Sequence, residues 1–517
     1  MRNPLNNPEF LRCARAQLRP SRLVTTLVIV AALSAAVAFL ISREPGRAER
    51  PYGWGIHLLE IALYAQFFVL AAGGGIACLN SIHKEKEQNT FDFQRVTRLS
   101  PAELTLGKLF GAPILSYFVC LCLMPVALFG AFMAKARPSI VLAAYVALFV
   151  GSLMFHAFAL LISLLTIRGS HASAIILVLL VLWISSYDIS AAGMLRLGKL
   201  GPFFAVGLVQ QTDWKSPETE FTINGAGLER KYVVANPMVD LFFGKYVPHF
   251  PLFVVVDLAF AAWFLLGVVR NIKRDPDGYQ LYSPMQALAF AGFLNLLLIA
   301  FFRWRSATPI DCQSFLLTVN MLIFFAIGLT LLRNRQQVRR LLRVGGSAVR
   351  SWLNTMWPAP LLFAGSLLIG IIIVAAIARG RDPQHEWSAG FAVFRSAFFV
   401  AWLLRDLQYL QWASLRRGRH PLPMGMLFLI IFYACVMILL AAFRCFSDSQ
   451  RLPFTAFFLP SPVYVLNHAL WIQRPAIWVA AFGAQWILWG IFIWLQRQTI
   501  AEMTAPQNGA ISPAFAD

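Results

Sequence analysis

Residues Ser81–Gly111 read SIHKEKEQNTFDFQRVTRLSPAELTLGKLFG. They form the longest strongly polar, mixed-charge island in the first half of an otherwise apolar chain. Apolar runs long enough to cross a bilayer flank the island on both sides, so both its ends are tied to membrane spans. Its second part is legible as a helix start. Ser100 suits an N-cap, Pro101 the first turn, and Glu103 the third helical position of a capping box. The chain leaves one span, forms a charged element in water and re-enters through a capped helix. A solvated loop holding cytosolic charge would explain the polarity but not the ordered pattern. The pattern suits a place where a membrane protein receives force or a signal from a soluble partner.

Outward from the island, the composition agrees. Of 517 residues, 58% are hydrophobic and 13% charged, and the mean hydropathy is +0.65. Many apolar runs reach the ~20 residues needed for a ~30 Å hydrocarbon core. The expected fold is an all-α polytopic membrane protein. The net charge of +20 does not imply nucleic acid, because the cations are scattered through short loops between spans. The seven cysteines include no CxxC pair and lie mostly in or beside apolar runs, which suits packing. The apolar run 23–41 is too long for a signal-peptide core and reads as a permanent span.

About twelve spans are predicted. Six lie at 23–41, 55–79, 103–133, 139–167, 172–190 and 251–270. Six more lie at 285–302, 314–332, 359–378, 391–410, 424–443 and 476–495. Lys and Arg concentrate on the segments that an inward N-terminus would place in the cytosol, so both termini are expected there. Residues 1–22 are expected to form an interfacial helix capped by Asn7 and Pro8. Arg12, Arg15, Arg19 and Arg22 would lie on one face, and an anionic leaflet would attract them. A plain basic flank of span 1 would look similar. Units at 23–275 and 282–497 follow, then a disordered tail at 498–517.

The island also carries a resemblance. Glu85-Lys86-Glu87-Gln88-Asn89-Thr90-Phe91-Asp92-Phe93, then Leu99-Ser100-Pro101, then Gly107-Lys108-Leu109, is similar to the segment between the second and third spans of ABC-2-type transporter permeases. Asn89 stands where that family usually has Gly, and Arg98 where Pro is common. Asn tolerates a left-handed backbone better than most residues, so the first exchange is mild. The resemblance covers roughly 1–275 and is specific only over 81–111. It implies a six-helix permease bundle, an exporter and a homodimer or a pairing with a second permease. It also implies a separate cytosolic ATPase that binds ATP and magnesium, with no cofactor in this chain. Segment 81–108 would be the coupling element: Glu85, Glu87, Thr90 and Asp92 would make or orient the contact, beside Ser100 and Pro101. Gly107 and Lys108 would set the start of span 3. A bacterial-type inner (plasma) membrane is the expected location.

The long loop 191–250 is expected on the outer side. Its stretches 202–209 and 236–247 could dip back into the membrane as short helices, or the whole could be a surface loop. Gly193–Leu200 imitates a phosphate-binding loop but has Leu where Ser or Thr should meet magnesium. The basic loop Arg333–Arg350 occupies the island's topological place in the second half yet lacks its pattern. Six spans plus six would fit a duplication or an appended membrane domain.

Ionisable groups inside spans are functional candidates. Glu60, Asp188 and Asp257 fall near the outer ends of theirs and suggest a water-filled vestibule, or simply interfacial residues that pair locally. His57 is a candidate partner for Glu60. Arg405-Asp406 would be an adjacent pair at the membrane boundary. Gly73-Gly74-Gly75 would permit close packing or a bend. No catalytic constellation and no metal-ligand pattern stands out. A secondary transporter driven by an ion gradient is the second reading, and a membrane enzyme the third.

Overall fold

The computed structural model describes residues 7–42, 53–166, 219–225, 228–234, 239–242, 245–274, 279–300, 309–343, 389–417, 421–442 and 475–504. The predicted spans 172–190 and 359–378, the stretch 202–209, the Gly193 loop and Asp188 lie outside them. The chain divides into two compact units at Leu281/Tyr282.

The first unit is built from helices. They are α1 (Pro8–Gln17), α2 (Pro20–Ser42), α3 (Gly53–Phe67), α4 (Gly75–Glu87), α5 (Phe91–Arg95), α6 (Pro101–Gly111), α7 (Ile114–Met133), α8 (Pro138–Leu165) and α9 (His249–Asn271). A widened π-helical turn, Phe68–Gly74, joins α3 to α4 without a break. The result is one long helix that runs out of the apolar zone into the island. Span 3 is not continuous: helix α6 stops at Gly111, and α7 restarts after Pro113, whose ring and missing N–H interrupt the ladder.

Helix α8 is the centre of this unit and packs against α9, α4 and the π turn. Its buried face is rich in small residues (Ala144, Ala147, Gly151, Ser152, Ala157, Ala159), which let neighbouring backbones approach. Leu79, Ile82, Phe91, Leu104, Leu160, Leu164 and Val268 form one apolar cluster around it. Helices α3 and α7 come closer still. A Cβ on Gly55 would lie 2.5 Å from the backbone nitrogen of Ala134, and one on Gly130 2.7 Å from that of Leu59.

Before α9 the chain forms two antiparallel hairpins, β1 (Thr219–Gly225) with β2 (Leu228–Val234), and β3 (Val239–Phe242) with β4 (Lys245–Pro248). Apart from these two short hairpins the described residues fold as helices, in keeping with the expected all-α class. Of the two readings of 236–247, the short helix is not the one formed, since β3 and β4 occupy most of that stretch. Val239, Leu241, Tyr246 and Val247 are residues that favour a pleated backbone, and the Asn236-Pro237 signal did not outweigh them.

The second unit contains α10 (Pro284–Ala300), α11 (Pro309–Leu331), α12 (Arg335–Arg343), α13 (Ala389–Leu415), α14 (Pro421–Ala442) and α15 (Pro475–Thr504). Helices α13 and α15 interlock through aromatic rings, with Phe398 against Phe482 at 5.7 Å and Phe394 against Phe482 at 5.4 Å. Arg405 and Asp406 form the expected adjacent pair, at 2.7 Å, and both are buried. Arg405 donates to Gln485 at 2.6 Å and to Tyr433 at 2.7 Å, and Tyr433 donates to Asp406. Helix α15 runs to Thr504, so the start of the expected tail at 498 is helical instead. Those residues extend the helix because they include good helix formers such as Ala501, Glu502 and Met503.

Among the described residues, six helices are long and apolar enough to cross a membrane: Pro20–Leu40, Trp54–Glu87, Ile114–Met133, Pro138–Leu165, Phe250–Asn271 and Trp478–Met503. Met285–Leu298, Leu317–Leu329 and Pro421–Cys435 are apolar but shorter. This is a membrane protein of several apolar helices.

Candidate functional site

The island folds as three pieces. Helix α4 ends in a left-handed residue, Asn89, at φ 57°. The amide of Thr90 donates to the carbonyl of Glu85 at 2.9 Å, and that of Asn89 to Lys86 at 3.3 Å. This is a Schellman closure, with Asn in the place that glycine most often fills. The short α5 follows, and Ser100 then opens α6. Its hydroxyl accepts from the Glu103 amide at 3.2 Å, and the Glu103 carboxylate accepts from the Ser100 amide at 2.8 Å. The capping box read from the sequence is present.

Helix α1 lies across α6. Asn7 caps α1, accepting from Glu9 at 2.9 Å, and its amide donates to the Glu103 carbonyl at 2.6 Å. Two glycines one turn apart on α6 make the approach possible. A Cβ on Gly107 would sit 2.7 Å from Glu9 Cβ, and one on Gly111 2.9 Å from Cys13 Cβ. Further along, Gln17 donates to the Ala112 carbonyl at 2.8 Å.

At this crossing four charges meet. Lys108, fully buried, donates to Glu9 Oε1 at 3.0 Å and to Glu85 Oε2 at 2.6 Å. Arg12 reaches Glu9 Oε1 at 2.8 Å and Glu85 Oε1 at 2.5 Å. Gln94 adds a bond to Glu85 Oε1 at 2.6 Å. Two cations and two carboxylates leave no net charge. Each carboxylate has at least two donors, the condition under which buried ions are tolerable. Burial raises the Glu9 carboxyl, but Lys108 and Arg12 outweigh it and hold the group below its ordinary range. The same pairing raises the Arg12 guanidinium against its own desolvation. A fifth ion works beside them. The Lys86 ammonium donates to the carbonyls of Ser163 at 2.9 Å, Leu164 at 2.5 Å and Thr166 at 3.0 Å. It satisfies the last carbonyls of α8 and favours the negative end of that helix.

The residues expected to touch a soluble partner therefore divide. Glu85, Gly107 and Lys108 face inward and tie α1, α4 and α6 together. Glu87 is half-exposed and 3.2 Å from His83; Asp92 is exposed and 2.8 Å from Arg95. Thr90 is exposed, with its hydroxyl 3.3 Å from the Glu85 carbonyl. Ser100 is exposed and Pro101 partly so, at the head of α6. Two further exposed side chains of the island are apolar, Phe93 at 73% exposure and Val96 at 82%. Lys273, after α9, donates to the Thr97 carbonyl at 2.7 Å and steadies the stretch after α5.

Of the membrane acids, the two among the described residues, Glu60 and Asp257, have different surroundings. Glu60 pairs with His57 at 3.5 Å on α3. Asp257 is only 1% exposed on α9, and both its carboxylate oxygens lack a hydrogen-bond partner. Such enclosure does not suit the expected water-filled vestibule. In the middle of this unit, His156 of α8 lies 2.8 Å from the Leu70 carbonyl of the π turn and 3.1 Å from the Tyr117 hydroxyl. A Cβ on Gly74 would stand 2.3 Å from its Nε2, so the glycine run serves a close approach here. No group of three or more His, Cys, Asp or Glu able to hold a metal is found among the described residues.

No family model, curated protein or solved structure matches the chain.

Proposed function

We propose that the first unit is a permease of an ATP-driven ABC-2-type exporter in a bacterial-type inner membrane, moved by a separate cytosolic ATPase. The carrying observation is the exposed pair Phe93 and Val96 on a short helix braced by a buried ion network. Large apolar side chains at the most polar part of a membrane protein suit a protein partner better than water. Burying each would contribute about 1.5–3 kcal/mol. A lever must also be stiff. The Schellman closure, the capping box and the Glu9–Arg12–Glu85–Lys108 network tie α5 to α1, α4 and α6. A push on α5 would then reach the bundle through α4, which continues into a span without interruption. In this reading Glu87 and Asp92 flank the contact, and Glu85 and Lys108 hold its frame.

The test is reconstitution with a candidate ABC-type ATPase, sought first among the genes beside this chain's own. Phe93→Ala with Val96→Asp should weaken complex formation by about 100-fold or more and abolish transport-coupled ATP hydrolysis, while the permease stays folded. Unchanged binding and coupling would remove the reading.

One observation favours the second reading, a transporter driven by an ion gradient: the unpartnered Asp257 inside a span. Transport that ignores ATP, collapses with the proton gradient and is lost in Asp257→Asn would establish it instead.

A further inference from the structure

A cleft of about 410 Å³ opens beside the ion network, between α1, α4 and α6. Its depth in the membrane follows from the chain. Helix α1 ends at Gln17, and the lipid-facing α2 begins at Pro20. Helix α6 ends at Gly111, just before α7 enters the apolar zone at Ile114. On the third side, the helix Trp54–Glu87 has 34 residues and spans about 51 Å, far more than a ~30 Å hydrocarbon core. Its Ala77–Lys84 portion therefore stands at the level of the headgroups.

The walls divide by chemistry. Ala16, Ala77 and Ala112 make a smooth apolar side, one from each helix. Arg12 and the exposed Lys84 bring cations to the rim, and Asn80 and Ser81 add polar groups. Arg12 meets both carboxylates through Nη2, contacts that do not use its Nη1 and Nε donors. Lys108 and Glu85 also reach this wall, but their charges answer each other at 2.6 Å. The combination is a pair of cations, the polar Asn80 and Ser81, and a three-alanine wall at headgroup level.

We propose that this cleft binds the phosphate-bearing headgroup of an anionic phospholipid. The phosphodiester lies between Arg12 and Lys84, the polar headgroup sits beside Asn80 and Ser81, and the upper acyl chain runs over the alanines. The ligand would wedge α1 against α4, so the site senses the lipid in which the island works. It does not depend on what docks at Phe93.

The full-length protein is purified into detergent and exposed to dioleoylphosphatidylglycerol, dioleoylphosphatidylcholine or inorganic phosphate, and retained ligand is counted by native mass spectrometry. One phosphatidylglycerol should be retained in preference to phosphatidylcholine, and excess inorganic phosphate should not displace it. Lys84→Gln should weaken retention about tenfold, the effect of losing one charge-assisted contact. Ala16→Phe, which fills the cleft while keeping every charge, should abolish it. Equal retention of the two lipids overturns the proposal, as does displacement by phosphate alone. Unchanged retention in Lys84→Gln overturns it too, even if Ala16→Phe fails to fold.

Discussion

At the scale of single residues, Asn89 shows how a backbone demand is written into a side chain. Its φ of 57° is a conformation that costs most residues ~1–2 kcal/mol. Asn89→Gly should leave the melting temperature nearly unchanged, whereas Asn89→Val should lose about that amount in a thermal scan of the purified protein. This position, the Ser100–Glu103 box and the Asn7 cap were legible because their partners lie within a few residues. Glu9 was not. Its neighbours suggested a solvated helix carrying arginines, and the lysine that defines it lies 99 positions away. Nothing periodic announces such a pair. Glu9 also makes a statement about pH. Its folded carboxyl is held below the ordinary value of 4.5, so its contribution is complete above that pH and fades as the pH falls through the lowered value. Glu9→Gln should therefore be less stable than the parent at pH 7, and the gap should narrow once the pH drops below about 4.5.

Among elements, the crossing of α1 on α6 is decided by absent side chains. Gly107→Ala places a methyl 2.7 Å from Glu9 Cβ and 2.9 Å from Asn7 Oδ1, so α1 must move. A loss of about 1–3 kcal/mol is expected, with faster hydrogen exchange confined to residues 8–17 in a mass-spectrometric comparison. Hydropathy placed helices such as α2, α8 and α9 to within a few residues, since length and apolarity are what a bilayer selects. It could not see the stop at Pro113 inside one apolar stretch, nor the π turn at Phe68–Gly74. That turn is set by the contact with His156, a tertiary event. The second hairpin stands where a short helix was one of two readings: Asn-Pro is only a start signal, and residues 239–242 pair with 245–248 directly beyond the turn.

For the whole molecule, the first unit has two distinct ends. The hairpin strand β4 leads directly into the start of α9, whereas Lys273, beyond the other end of α9, is bonded to the island. A single crossing by α9 therefore separates the hairpins from α5. In intact vesicles, with the native cysteines replaced, a cysteine at Asn224 and one at Gln88 should react with an impermeant maleimide from opposite sides. Labelling of both from one side would refute this topology. The order in which the ions are made carries a further consequence. Glu9 and Arg12 leave the ribosome together and can pair at once. Glu85 follows with only Arg12 to meet it, and Lys108 comes 23 positions later. At ~5–20 residues per second that interval is about 1–5 s. During it the emerging chain holds an unbalanced carboxylate beside the bilayer, a window in which an insertion factor or a quality-control protease could tell a finished fold from an unfinished one.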